Sequence, residues 1–253
     1  VSIGATNSNT IGHTRFETTN NAVFSIISAL SDGVTVKLSG IDGYPNGYEF
    51  QKIDANTLQT DGYKAVAEMM NGVSDKTGIK VKVNNTQQIL GVVAAGEVKD
   101  LRINGVLIGN IKTQANDADN ALIGAINAKK DETGVEASLD NGRLVLAAKD
   151  GRAIRIGAFS ESAKYLGAGQ NLSGASAASG QALASAGVVF LGQITFVRQD
   201  ARDIKVGLDG LSIVSGLSCA NFTNNVSASN SYNQASVNLK YMNSGTIISD
   251  MAK

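Results

Sequence analysis

The chain has 253 residues, 43% hydrophobic and 17% charged, enough to bury a sizeable core as one large domain or two smaller ones. Lys+Arg and Asp+Glu both number 22, so the formal net charge is zero and no basic excess exists to neutralise phosphates or an anionic membrane; neither nucleic acid nor membrane is expected as a partner. A single cysteine, Cys219, and a single histidine, His13, exclude an internal disulfide framework and a His- or Cys-rich metal cluster, and no apolar run reaches the roughly 18 residues of a membrane-spanning helix.

Residues 1 to 20 mix apolar, Gly and Asn positions in a way that suits a β-hairpin-like lead-in. No secretory leader pattern stands at Val1, and the chain reads as a fragment of something longer. Val34–Leu38 alternates as a strand, 39–47 supplies turns, and Tyr48–Ile53 alternates again, which predicts a hairpin-like pair. Val66, Met69, Met70 and Val73 then fall at i, i+3, i+4 and i+7, the spacing of an amphipathic helix. Thr77-Gly78 provides a left-handed exit into the strand Ile79–Val83.

The same order recurs further on, Asn71 matching Asn127, Asp75 matching Asp131, Thr77-Gly78 matching Thr133-Gly134 and Ile79 matching Val135. Each unit reads β-β-α-β. In the second helix Ala118, Ala121, Leu122, Ala125, Ile126 and Lys129 keep the period, with Asn116 or Asp117 as N-cap. A second echo links Gly142–Ile156 to Gly192–Val206, both carrying Asp-Xaa-Arg-Xaa-Ile at an expected hairpin turn. Residues 167–187, rich in Ser, Ala and Gly, predict an exposed loop or linker, and Ala235–Tyr241 is the best strand of the tail.

Little in this palette supports chemistry. Aromatics are 5% with no Trp, which is poor material for a deep ligand pocket. Asp117-Ala-Asp119-Asn120 opens like a calcium loop but lacks the Gly at position 6 and Glu at position 12, so helix capping is the stronger reading. Gly167-Ala-Gly169 lacks the strand before and the Lys-Ser/Thr after that a phosphate loop needs. Asp140/Arg143, Asp150/Arg152 and Asp200/Arg202 sit at predicted turns, where Asp bonds its own backbone and Arg pairs with it or covers apolar surface. His13 lies in polar strand-like sequence, and no carboxylates are spaced as an acid–base pair. No catalytic residue, cofactor or metal is expected.

Ile103-Asn104-Gly105 through Gly109, with Ala125-Ile126-Asn127 and Thr133-Gly134-Val135-Glu136-Ala137, resembles the "IN" motif of bacterial flagellins and related hook and cap proteins. Val1–Thr18 is similar to the segment where flagellins leave their helical core, and Asp200–Ile204 to a stretch of their outer domains. The resemblance implies a mostly β, α+β structural protein: the exposed outer domains, called D2 and D3, of a filament subunit that is extracellular and exported without a cleaved signal peptide. It implies a discontinuous base subdomain, 1–96 plus 188–253, and an inserted outer subdomain, 97–187, holding Ile103, Asn104, Gly105, Ile126, Asn127, Thr133 and Gly134 as structural motif residues. Other flagellin subunits are the expected partners in the full-length filament, while the fragment alone, lacking the terminal helical regions, is expected to be monomeric. O-linked glycans are a further expectation, with Ser173, Ser176, Ser179 and Ser185 as candidate acceptors. A hook or filament-cap protein is the nearest alternative, and an adhesin or glycan-binding module the next, although Tyr44, Tyr48, Tyr63, Tyr165, Tyr232 and Tyr241 are scattered rather than gathered into a platform.

Overall fold

A computed structural model describes residues 15–18, 22–24, 33–159, 162–167, 176–177, 188–198 and 204–209. His13, Cys219, Asp200, Arg202 and the tail strand at 235–241 lie outside the described residues. The architecture is α+β and mostly β. The first strands are β1 (Arg15–Thr18), β2 (Ala22–Phe24), β3 (Thr35–Ser39) and β4 (Tyr48–Glu49), followed by helices α1 (Ala55–Asp61), α2 (Tyr63–Asn71) and α3 (Ser74–Thr77). Then come β5 (Ile79–Val92), β6 (Gly96–Ile103), β7 (Val106–Thr113), α4 (Ala121–Ala128), α5 (Lys130–Thr133), β8 (Glu136–Asp140), β9 (Arg143–Ala148), β10 (Ile154–Phe159), β11 (Ser176–Ala177), β12 (Val188–Arg198) and β13 (Lys205–Asp209). Among these, one sheet runs β7-β6-β10-β12-β5-β9-β8, with β1 and β2 also on β12 and β11 on β10, and a second runs β13-β3-β4. All pairings are antiparallel except β10 with β11.

The amphipathic helix expected over 64–73 is α2, which ends at Asn71; it buries Val66, Ala67 and Met70 and packs Met69 against the same core, and Val73, just past its end, packs there too. Helix α1 has no such periodicity and follows from its cap: Asp54 Oδ1 accepts from Thr57 N at 2.9 Å, and Thr57 Oγ1 donates to Oδ2 at 2.9 Å. Those bonds, the Thr57 N–H first, hold the Asp54 carboxyl below the usual carboxylate range. Of the expected strand 48–53 only Tyr48–Glu49 is regular, but pairing resumes where Val34 and Ile53 exchange two bonds of 2.8 Å.

Both expected Asp-Xaa-Arg-Xaa-Ile hairpins are corrected. β9 pairs with β5 and β8, whereas β10 pairs with β6 and β12, so 142–156 is a corner between different neighbours. Likewise β12 pairs with β5 and β13 pairs with β3 in the second sheet. Alternation marks a strand without naming its partner, and here the partners come from elsewhere in the chain. Among the described residues the two-residue hairpins are β6–β7 at Asn104-Gly105 (φ 51, 84) and β8–β9 at Asn141-Gly142 (φ 50, 75), the paired left-handed residues that type I′ turns require.

The repeat extends to strand register. Glu136 faces Ala147 and Ala137 faces Leu146 across β8–β9, just as Lys80 faces Val197 and Val81 faces Phe196 across β5–β12. Ile156 opposite Ile103 across β10–β6 corresponds to Val206 opposite Leu38 across β13–β3. The I′ turn residues Asn141 and Gly142 then correspond to Asn85 and Gly192, separated in sequence by everything from β6 to β11 yet adjacent in space: a Cβ on Gly192 would lie 3.0 Å from that of Asn85.

Two apolar clusters form. One gathers Val36, Leu38, Leu58, Val66, Met70, Ile79, Ile194 and Phe196; the other gathers Ile89, Val98, Ile103, Leu122, Ile126, Val135, Leu146, Ile156 and Phe190. Long strands β5 and β12 pass from one to the other, and where they part company Asn85 is fully buried. Its Nδ2 donates to Arg152 O at 2.7 Å and Phe190 O at 2.9 Å, and its Oδ1 accepts from Gln87 Nε2 at 2.8 Å, so the polar groups exposed by the diverging ladders are met by one amide.

Candidate functional site

The seven motif residues build a corner in the second cluster. Ile103 and Ile126 are buried in its core. Asn104, at the first position of the β6–β7 turn, adopts the left-handed conformation that Asn tolerates better than most residues. Its backbone N donates to Arg155 O at 2.9 Å, its Oδ1 accepts from Arg155 N at 2.8 Å, and its Nδ2 donates to Thr133 O at 2.8 Å. One side chain therefore ties a hairpin tip to the edge of β10 and to the end of α5. Gly105 is beside Arg155, and Gly134 holds the left-handed φ of 72° that favours glycine at this helix exit, with the flexible end of the Arg152 side chain lying over it. Thr133, fully buried, donates to Lys129 O at 3.0 Å and accepts from Val135 N at 3.1 Å, closing the exit.

Asn127 makes a different brace. Its Nδ2 donates to Ala137 O at 2.9 Å and its Oδ1 accepts from Ala137 N at 2.7 Å. Both backbone groups of Ala137 face away from β9, so the amide supplies the donor and acceptor that a further strand would have brought there. Asn71 does the same to Val81 in β5, at 2.8 and 2.7 Å, and Thr77 repeats Thr133 with bonds to Val73 O and from Ile79 N at 3.2 and 3.3 Å. Capping an edge in this way blocks adventitious strand pairing there.

Asp117 caps α4 as expected, but from three residues before the formal N-cap, Asn120: its Oδ1 accepts from Leu122 N at 2.9 Å and its Oδ2 from Ile123 N at 3.0 Å. The carboxylate is buried, and it meets two of the free N–H groups of the helix start. Asp119 serves Ala121 N at 3.3 Å, so the calcium-like stretch is spent on capping. Asp150 likewise bonds Arg152 N and Nε at 3.2 and 2.8 Å, and Lys64 of α2 reaches it at 3.3 Å. Burial raises the Asp150 carboxyl, and the Arg152 bonds and charge with the Lys64 bond more than offset this, leaving it below the usual range.

Ser176 is in β11, where its backbone faces Ala158; Ser173, Ser179 and Ser185 lie outside the described residues. Among the described residues no group of three or more His, Cys, Asp or Glu is placed to hold a metal, and no helix is long and apolar enough to cross a membrane. Sequence reasoning missed the Asn85–Gln87 junction, whose signal was the polar run Asn84-Asn85-Thr86-Gln87-Gln88 set between Val83 and Ile89.

The family described as flagellin hook IN motif matches residues 100–150, which contain all seven motif residues. Flagellin B of Helicobacter pylori is 37% identical over 211 residues, covering 81% of this chain and 39% of that protein. Flagellin A of Helicobacter mustelae is 36% identical over 207 residues (81% and 40%), and flagellin A of Helicobacter felis 34% over 207 residues (81% and 38%). The chain thus spans about two-fifths of the length of these relatives. The IN-motif match and a similarity running through four-fifths of the sequence point the same way: this chain is similar to the flagellins.

Proposed function

We propose that this chain is the outer part of a structural subunit of the bacterial flagellar filament, extracellular and facing solvent along the shaft, where it serves motility and forms antigenic surface. The observation that carries the reading is that the polar residues of the IN corner and its repeat, Asn71, Asn104, Asn127, Thr77 and Thr133, are committed to bracing backbone. Side chains held in this way stiffen a surface and are unavailable for catalysis, so no residue is assigned a catalytic role. Other flagellin subunits are the partners in the full-length filament, and the segment by itself is monomeric. Ser173, Ser176, Ser179 and Ser185 are the candidate acceptors for O-linked glycans.

We read the chain as a base subdomain with an inserted outer subdomain, D2-like and D3-like. The two clusters support this reading, and since Ile89 and Val93 pack with the outer one, we place the first crossing within β5 near Asn85 rather than at 96. Correspondence of Asn85 and Gly192 with the Asn141-Gly142 turn supports an outer unit inserted into the opened hairpin of a copy of itself.

A hook or cap protein is the second reading, favoured by the shared motif. Immunogold electron microscopy on motile cells, with antibody raised against this chain, separates the two: label along the whole shaft is expected. Label confined to the hook or distal tip transfers the assignment to a hook or cap protein, and label on the cell envelope alone refutes the flagellar reading.

A further inference from the structure

Four Asn-Gly pairs occur in the sequence, at 46–47, 71–72, 104–105 and 141–142. Asn-Gly is the dipeptide most prone to intramolecular attack of a backbone nitrogen on the preceding side-chain amide, because glycine puts no Cβ in the way. The surroundings separate the four. At Asn46 and Asn71 the attacking nitrogen is engaged: Gly47 N donates to Tyr44 O at 2.9 Å and Gly72 N to Glu68 O at 3.0 Å. At Asn104 the amide under attack is engaged instead, held by Arg155 N and Thr133 O while its own backbone N bonds Arg155 O. Asn141 has neither protection, although its turn is anchored through Gly142 O, which accepts from Val93 N at 2.8 Å. Its side chain is exposed and bonds only the neighbouring exposed Asp140, at 3.1 Å, and the central N–H of a two-residue hairpin lies outside the ladder.

We infer that Asn141 is a site of spontaneous covalent modification, converting to aspartyl and isoaspartyl residues in the folded protein. The Gly142 nitrogen attacks Asn141 Cγ, a C–N bond forms, the nitrogen loses its proton, and the side-chain nitrogen leaves as ammonia. Water then opens the resulting succinimide at either carbonyl, giving aspartate or isoaspartate. Each event adds one negative charge beside Asp140 to a chain of zero formal net charge, and the isoaspartyl form lengthens the backbone at the β8–β9 turn.

Asn104 is the internal control, being the same dipeptide in the same type of turn. Its two side-chain hydrogen bonds must open before attack, at roughly fivefold apiece, so Asn141 should react on the order of twentyfold faster. The test incubates the whole folded chain at mildly alkaline pH and follows the tryptic peptides 131–143 and 103–112 by mass spectrometry, beside a sample unfolded in urea. The expected result is conversion in 131–143 long before 103–112 when folded, with the two rates within a few-fold of each other in urea. A folded ratio no larger than the unfolded one, or faster reaction in 103–112, overturns the inference.

Discussion

Replacing Asn127 by alanine removes both bonds to Ala137 while leaving helix and strand otherwise intact. Two bonds at a net ~1 kcal/mol each, plus the cost of leaving the nearly buried Ala137 N–H and C=O without partners, put the loss at about 2–3 kcal/mol. For a protein of this size that is a fall in Tm of about 5–10 °C. Asn127→Asp is the sharper test. The carboxylate still accepts from Ala137 N, but its second oxygen then faces Ala137 O without a proton, so it should stabilise no better than alanine. Urea unfolding followed by circular dichroism gives the free energies, and hydrogen exchange at the Ala137 amide gives the local effect, a loss of protection in Asn127→Ala that Asn127→Asp, still accepting from Ala137 N, should largely avoid. Asn71→Ala should cost a similar amount and deprotect Val81, with the double variant additive to about 0.5 kcal/mol because the two braces serve different clusters. Variants at either Asn that stay within about 0.5 kcal/mol of the parent, with Ala137 still protected, would refute the edge-capping argument.

Four further outcomes are expected. Asn104→Ala should lose about 2–4 kcal/mol, combining two side-chain bonds with the strain of alanine at φ 51, and Asn104→Gly should lose less because only the bonds go; calorimetry of the pair checks the order. Asn85→Leu should cost about 3 kcal/mol or more by stranding Arg152 O, Phe190 O and the Gln87 amide, with Asn85→Asp at least as damaging; a loss under about 1 kcal/mol would show that water replaces the amide. Asp150→Asn tests the sign of a pH effect. The folded carboxyl lies below its unfolded value, so its contribution is present above an unfolded pKa of about 3.9 and vanishes as pH falls through the folded value. The parent's advantage over Asp150→Asn, under about 1 kcal/mol at this half-exposed site, should shrink as pH drops from about 5 to 3 in a titrated denaturation series. Finally, deleting 86–191 to join Asn85 directly to Gly192 should recreate a two-residue β5–β12 hairpin and yield a base unit that melts cooperatively; a chain without a cooperative transition would count against the nested arrangement.

The sequence by itself determined the local pieces and the repeat. Periodic apolar positions located α2, Thr-Gly pairs located two left-handed helix exits, and the matches Asn71 with Asn127 and Thr77 with Thr133 turned out to mark equivalent hydrogen bonds. These signals are legible because caps, turns and helix faces are set by residues within a few positions of one another. Partner choice was decided only in the tertiary structure. Alternation in Gly142–Ile156 looked like a hairpin, yet β9 and β10 found other neighbours, and β5 ran on to Val92 through a polar stretch that ends most strands. Asn85 fits there because two ladders diverge around it, and the groups it satisfies, Arg152 O and Phe190 O, are distant in sequence and brought together only when β10 and β12 meet.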